Sequence, residues 1–308
     1  MTVGAKARVI DSDAHVEEWS DTFADRYLDP AFARRRPTVV GSEARAYWVV
    51  DDHLYPMMVG PGCHILGTPT GHGQGESEYT KVKAKLRLDD VESMELRPVE
   101  ARLRAMDAEG IDAQVIYPTL FLVQPLTGDP DFQAALCRSY NSWMADVTRG
   151  HDRLKWVAVT DLANVDLAVD ELKRVRDLGA VSVMLLGTHN TSQLSDPRFE
   201  PFFTAVERQK MPLAIHVGWS CPPMTQLFST IWESLMIPFT LPVLCAFSSL
   251  IGGGVLDRHP NLKVGFFETG VGWLPYWLER MDHFWKFGEM KLAVGYRGQR
   301  QPIEYLRS

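Results

Sequence analysis

Ala113-Gln114-Val115-Ile116-Tyr117-Pro118, an amphipathic run from Asp131 to Arg149, and then Lys155-Trp156-Val157-Ala158-Val159 together decide the fold. A short apolar run stopped by proline reads as a buried strand. The longer run carries a helical period, and the next short apolar run reads as a second strand. The rhythm continues in both directions. Upstream, Arg8 to Asp13 reads as a first strand, and Ser93 to Glu109 as a helix with Val99, Leu103 and Met106 on one face and Gly110 ending it. Downstream come a helix from Leu167 to Leu178 closed by Gly179, a strand from Val181 to Leu186, and a helix from Phe199 to Gln209. A strand from Pro212 to His216, a strand from Leu262 to Phe267 and a helix from Trp273 to Phe287 complete the series. Alternating strands and helices imply right-handed βαβ units and a parallel sheet, either open and doubly wound or closed as a (β/α)8 TIM barrel.

No Gly-x-Gly-x-x-Gly follows the first strand. Gly71, Gly73 and Gly75 lie in a polar loop that lacks the Lys-Ser/Thr of a phosphate cradle. Residues 41–90 break the rhythm. Within them Ala46 to Val50 and Leu54 to Met58 flank Asp51-Asp52-His53 and read as a small hairpin inserted after the first strand. The rest of 1–308 reads as one domain with this insertion.

The 308 residues are 45% hydrophobic and 23% charged, with a net charge of −7 from 32 basic and 39 acidic residues, as expected of a folded chain. The densest basic cluster, Arg34-Arg35-Arg36, is short, so neither nucleic acid nor an anionic membrane is an expected partner. Cys63, Cys137, Cys221 and Cys245 are too scattered for a disulfide framework or a structural zinc site, and the N-terminus has no signal-peptide core. A cytoplasmic location follows as the expectation. Ser234 to Leu256 carries no charge and is long enough to span a bilayer. Pro238, Pro242 and Gly252-Gly253-Gly254 make it read instead as a buried helical segment and a subunit interface, whence an expected homodimer.

Three places offer chemistry. Asp13 and His15 end the first strand and, being alternate residues, project to one face, where a carboxylate and an imidazole together suit a divalent metal. Alone, such a pair also arises by chance. His216 occupies the equivalent place on strand five. A histidine ending an apolar strand is often a core residue, but here it would point into the same mouth. Glu268 ends strand six beside Phe266 and Phe267, so two readings stand, a catalytic acid and the N-cap of the following helix. Glu18 reads either as a partner orienting His15 or as a surface carboxylate. His189 and Trp219 would lie near the mouth as substrate-binding candidates, against which His189 also reads as a solvated loop residue.

These residues carry a resemblance. Val9 to Glu18, Asp196 to Pro201, Ile215 to Gly218, and Gly252 to Val264 running into Glu268-Thr269-Gly270-Val271-Gly272-Trp273-Leu274-Pro275 are similar, in order, to the amidohydrolase-2 family. That family includes aminocarboxymuconate-semialdehyde and resorcylate-type decarboxylases. The resemblance implies a (β/α)8 barrel holding one divalent metal, Zn or Mn, through a paired motif on strand one, a histidine on strand five and an aspartate on strand eight. Asp13, His15 and His216 match the first three. Decarboxylase members carry a catalytic histidine on strand six where this chain has Glu268.

The resemblance further implies decarboxylation of a small aromatic or unsaturated carboxylic acid. Hydrolysis of a C–N, C–O or C–C bond is the alternative, and an inactive homologue acting as a scaffold or partner subunit is the reading outside enzymes. Six strands are legible, and the chain stops on the approach to strand seven. It therefore reads as a truncated product, with a missing part supplied by another polypeptide or a different closure as the alternatives. A sheet of six parallel strands in sequential spatial order, with the first and sixth as edges, is the expectation.

Overall fold

The computed structural model describes residues 8–42, 45–55, 91–287 and 295–306. Its frame is a six-stranded parallel sheet. The strands are β1 (Ile10–Val16), β5 (Ala113–Pro118), β6 (Leu154–Val159), β7 (Ser182–Leu186), β8 (Leu213–His216) and β9 (Val264–Phe267), neighbours in that order. Among the described residues β1 and β9 are the edges, as the alternation of runs predicts. Between β1 and β5 a three-stranded antiparallel sheet forms from β2 (Thr38–Ser42), β3 (Arg45–Val50) and β4 (His53–Tyr55). The expected hairpin is its β3–β4 pair; β2 was not anticipated. Met57, Met58, Cys63, His64, His72 and the Gly71–Gly75 loop lie outside the described residues.

The helices explain themselves locally. The helix α1 (Val99–Glu109) ends at Gly110, whose φ of +71° is open to glycine. It does not start at Ser93 as the periodicity predicts. A short turn, Val91–Met94, is followed by a break with Leu96 at φ +54°, because Pro98 offers no N–H and its ring clashes with the preceding helical turn. The next helix, α2 (Pro130–Val147), is capped by the Asp129 carboxylate, which accepts from the amides of Asp131 and Phe132. Asn164 caps α3 (Val165–Asp177), and α4 (Glu200–Arg208) follows a 3-10 turn capped by Asp196.

The uncharged segment forms a turn of π-helix, Leu235–Phe239, and then α5 (Leu241–Gly252). Val243, Ala246 and Leu250 of α5 are fully buried, whereas Leu227, Trp232 and Met236 ahead of it stand exposed. The stretch Trp232–Gly252 is helical, long and apolar enough to cross a membrane, with 44% of its apolar window buried. Gly187 lets α5 sit against the end of β7, since a Cβ there would fall 2.0 Å from Pro242.

The Gly252–Val264 motif packs through His259. Its ring nitrogens lie 2.8 Å from Glu200 and 3.3 Å from Glu207, tying this turn to α4. The last helix, α6 (Trp273–Lys286), is followed after Gly295 by a 3-10 turn, Pro302–Leu306. That turn replaces the expected approach to a seventh strand. Buried Tyr305 anchors it by donating its hydroxyl to Asp257 at 2.6 Å.

Candidate metal centre

At the carboxyl ends of β1 and β8, Asp13, His15 and His216 converge, with one potential ligand atom from each lying within 4.8 Å of the others. The sheet curls enough for the two imidazoles to meet edge to face at 5.0 Å. A bulge assists. β1 is in register with β5 at Asp11–Gln114 and again at Ala14–Ile116, so Ser12 and Asp13 together oppose Val115.

Both rings are oriented by backbone. His15 Nδ1 lies 2.9 Å from the carbonyl of Pro118 on the adjacent strand, and His216 Nδ1 lies 3.0 Å from the carbonyl of Val217. A carbonyl can only accept, so each Nδ1 carries the proton and each Nε2 of a neutral ring presents a lone pair. His216 Nε2 then faces Asp13 Oδ1 at 3.2 Å, with His15 Nε2 3.9 Å from the same oxygen. His15 Nε2 is buried with no hydrogen-bond partner, although a quarter of the side chain's surface is open. Three acceptors turned toward one point repel unless a cation lies among them. The residues therefore fit a divalent metal bound by two imidazoles and a carboxylate. Burial, reinforced by His216, lowers the His15 pKa from 6.5 to about 4 against the opposing pull of Asp13, which keeps the ring neutral and able to ligate near pH 7.

Two aromatic residues complete the wall. Tyr117 is in register with His15 on the neighbouring strand, and its ring lies 5.0 Å from that of His216. Phe267 lies parallel to His216 at 6.3 Å and packs on Tyr117 at 5.2 Å. Tyr117 was not singled out in the sequence. The signal was available, since a residue ending a strand beside His15 at the same level must share its face.

The remaining candidates fall in different places. Glu268 ends β9 in a left-handed conformation, φ +61°, and is exposed rather than buried beside its phenylalanines. It does not cap α6, whose N-cap is Gly272. Partial desolvation by the protein side raises its pKa, and the attraction of His216 opposes this. Glu18 is neither a surface group nor a partner of His15. It is fully buried, accepts the amides of Thr119 and Leu120 at 3.2 and 2.8 Å, and is raised to about 8 by burial.

Trp219 is 3% exposed and turned inward. Its indole donates to Ser234 at 2.8 Å and packs on Phe239, a direction set by Gly218, where a Cβ would meet the Leu122 carbonyl at 2.5 Å. His189 is not a solvated loop group. It sits against Phe199 with its Nδ1 3.8 Å from the buried carboxylate of Asp161, and burial lowers its pKa.

The sequence profile of the Amidohydro_2 family, described as Amidohydrolase, matches residues 10–306. The chain belongs to this amidohydrolase family. A gamma-resorcylate decarboxylase of Rhodococcus jostii (strain RHA1) is 26% identical to it over 238 residues, 70% of this chain and 69% of the relative. A 2-amino-3-carboxymuconate-6-semialdehyde decarboxylase of Dictyostelium discoideum is 24% identical over 212 residues, 67% of this chain but only 58%, less than two thirds, of the relative.

Among solved structures, the amidohydrolase map2389c from Mycobacterium avium subsp. paratuberculosis K-10 superposes with a TM-score of 0.72 at 20% identity, over 98% of this chain and 82% of the other. A 5-carboxyvanillate decarboxylase from Novosphingobium aromaticivorans, with bound manganese, superposes with a TM-score of 0.59 at 22% identity, over 91% and 70%. The amidohydrolase chain thus shares the family's parallel α/β architecture, of which its six described strands form a curled part.

Proposed function

We propose that this chain is a metal-dependent decarboxylase of small aromatic carboxylic acids. The observation that carries the reading is the set of three mutually facing acceptors, Asp13 Oδ1, His15 Nε2 and His216 Nε2, at the mouth of the sheet. These side chains would hold a divalent ion, manganese or zinc, and manganese is bound in the Novosphingobium relative. When bound, such an ion supplies a positive anchor for the substrate's acidic oxygens.

The chain's own residues do the rest. Phe267, half-buried, would offer an apolar edge to a flat substrate, and fully buried Tyr117 backs it and the His216 ring. Glu268 stands at the rim, where desolvation raises its pKa, and in its protonated form would give a proton to the ring carbon that bears the carboxylate. The C–C bond to the carboxylate then breaks, its electron pair restores the ring and carbon dioxide leaves. Glu268 regains a proton from solvent on its open side.

His189 would meet the far edge of the substrate from its place beside Asp161. Trp219, behind the wall, would hold the loop after β8 rather than touch substrate. The exposed Leu227, Trp232 and Met236 support association into a homodimer, and the scattered cysteines support a cytoplasmic location.

The reading is tested by supplying Mn2+ and 2,6-dihydroxybenzoate and following carbon dioxide release. Production of carbon dioxide and the phenol is expected. Metal-loaded protein that releases none from a panel of hydroxybenzoates would overturn it.

A further inference from the structure

We infer that Arg102, Gln114 and Asp11 form a donor–acceptor chain that fixes the spacing of Asp13 and His15, making them positioning residues for the ligand pair. The inference rests on the metal reading above and concerns groups on the other side of the ligand strand. It starts from the bulge. An extra residue at Ser12–Asp13 takes Asp13 out of register, while His15 is back in the ladder opposite Tyr117. The spacing between the two ligands is therefore set across an irregular stretch that the ladder alone does not fix.

The hydrogen bonds run from one side of the bulge to the other. The Asp13 amide donates to Asp11 Oδ1 at 3.2 Å, and Asp11 Oδ2 accepts from Gln114 Nε2 at 3.0 Å. Gln114 Oε1 accepts from Arg102 Nη1 at 3.2 Å, and Arg102 Nη2 donates to the carbonyl of His15 at 2.8 Å. The order of donors is forced. Arginine only donates and a carboxylate only accepts, so the glutamine amide has one orientation that satisfies both. Arg102 is 3% exposed and Gln114 6% exposed, and Arg102 is further held by the carbonyls of Ser93 and Met94.

Packing alone does not explain the arrangement. Asp11, His15, Met94, Arg102 and Gln114 border a cavity of about 160 Å³, so on that side their hydrogen bonds hold them where no side chain presses. A buried guanidinium is also a costly filler where an apolar side chain would serve. The chain spans β1, β5 and α1, so it makes the distance between the two ligands depend on the body of the sheet rather than on a weakened strand.

The test exchanges donor and acceptor. In Asp11→Asn an amide nitrogen faces Gln114 Nε2, and in Gln114→Glu two carboxylates face each other. The double variant Asp11→Asn, Gln114→Glu restores every donor to an acceptor at unchanged net charge. Mn2+ affinity is measured by calorimetry, and thermal midpoints are recorded alongside.

Each single variant is expected to bind Mn2+ about 10- to 100-fold more weakly, as is usual when a ligand's outer partner is lost. The double variant is expected to return to within about twofold of the parent, the margin of an otherwise additive pair. Single variants that melt earlier but bind Mn2+ like the parent would assign the chain to stability alone and overturn the inference. A double variant no better than the singles would do the same. A parent chain that fails to bind Mn2+ would sink the metal reading itself, and this inference with it.

Discussion

His15 and His216 present their imidazoles to each other at 5.0 Å, although β5, β6 and β7 stand between their strands in the sheet. In a flat sheet four inter-strand steps would separate them by roughly 19 Å. The curl of the sheet therefore assembles the candidate ligand set, and the proposed metal site requires both rings. Replacing either histidine by alanine is expected to reduce bound Mn2+ from one ion per chain to almost none, measured by elemental mass spectrometry after gel filtration. Stoichiometric metal in His216→Ala would show that the three residues do not act as a set.

Glu268 should control the chemical step and not substrate capture. Glu268→Gln is expected to lower kcat by about 10²- to 10⁴-fold with KM nearly unchanged, the usual range for a lost proton donor. The donor works in its protonated form. Parent activity should therefore fall as pH rises through the raised pKa, and residual activity of the variant should lack that limb. An unchanged pH–rate profile in the variant would remove Glu268 from the mechanism.

Glu18 should make the protein less stable in mild alkali. Its carboxyl ionises near 4.5 when unfolded and at about 8 in the fold. Between those values the unfolded chain has released a proton that the folded chain still binds, so rising pH favours unfolding across that window. Glu18→Gln can still accept the Thr119 and Leu120 amides. It is expected to melt above the parent at pH 8, with the difference shrinking toward pH 5. Parallel melting curves across that range would refute this account.

Asn141 should be among the costly polar residues to truncate. Fully buried on α2, it donates to the Val159 carbonyl and accepts the Val159 amide, both at 2.9 Å, and also donates to Glu171 at 2.8 Å. Asn141→Ala would remove both bonds to Val159 at about 1–3 kcal/mol each before relaxation, while Glu171 keeps Arg138 and Arg174. A fall of several degrees in Tm is expected by calorimetry, and a fall below one degree would contradict it.

What the sequence made legible follows from periodicity. Strand and helix runs are one-dimensional signals, so the six strands, their order and the shared mouth of Asp13, His15 and His216 could be read directly. Other features depend on contacts between distant segments. Trp219 reads as a substrate-binding candidate until Gly218 and the Leu122 carbonyl turn it inward. Glu18 reads as a partner of His15 or a surface carboxylate until the amides of Thr119 and Leu120 enclose it. Glu268 reads as a catalytic acid or an N-cap until its left-handed backbone carries it to the rim. The Pro98 break was legible from the proline alone, and the helical period around it obscured that signal.

The bond from His15 Nδ1 to the Pro118 carbonyl has a consequence for reading relatives of this chain. Proline brings no amide to the end of the β1–β5 seam, and the imidazole supplies a proton there, so the same ring fastens two strands and faces the metal position. A descendant that had abandoned catalysis would still have a mechanical reason to keep that histidine. An imidazole at this place is thus ambiguous testimony about a living enzyme. Asp13, which fastens no such seam, is the witness to consult.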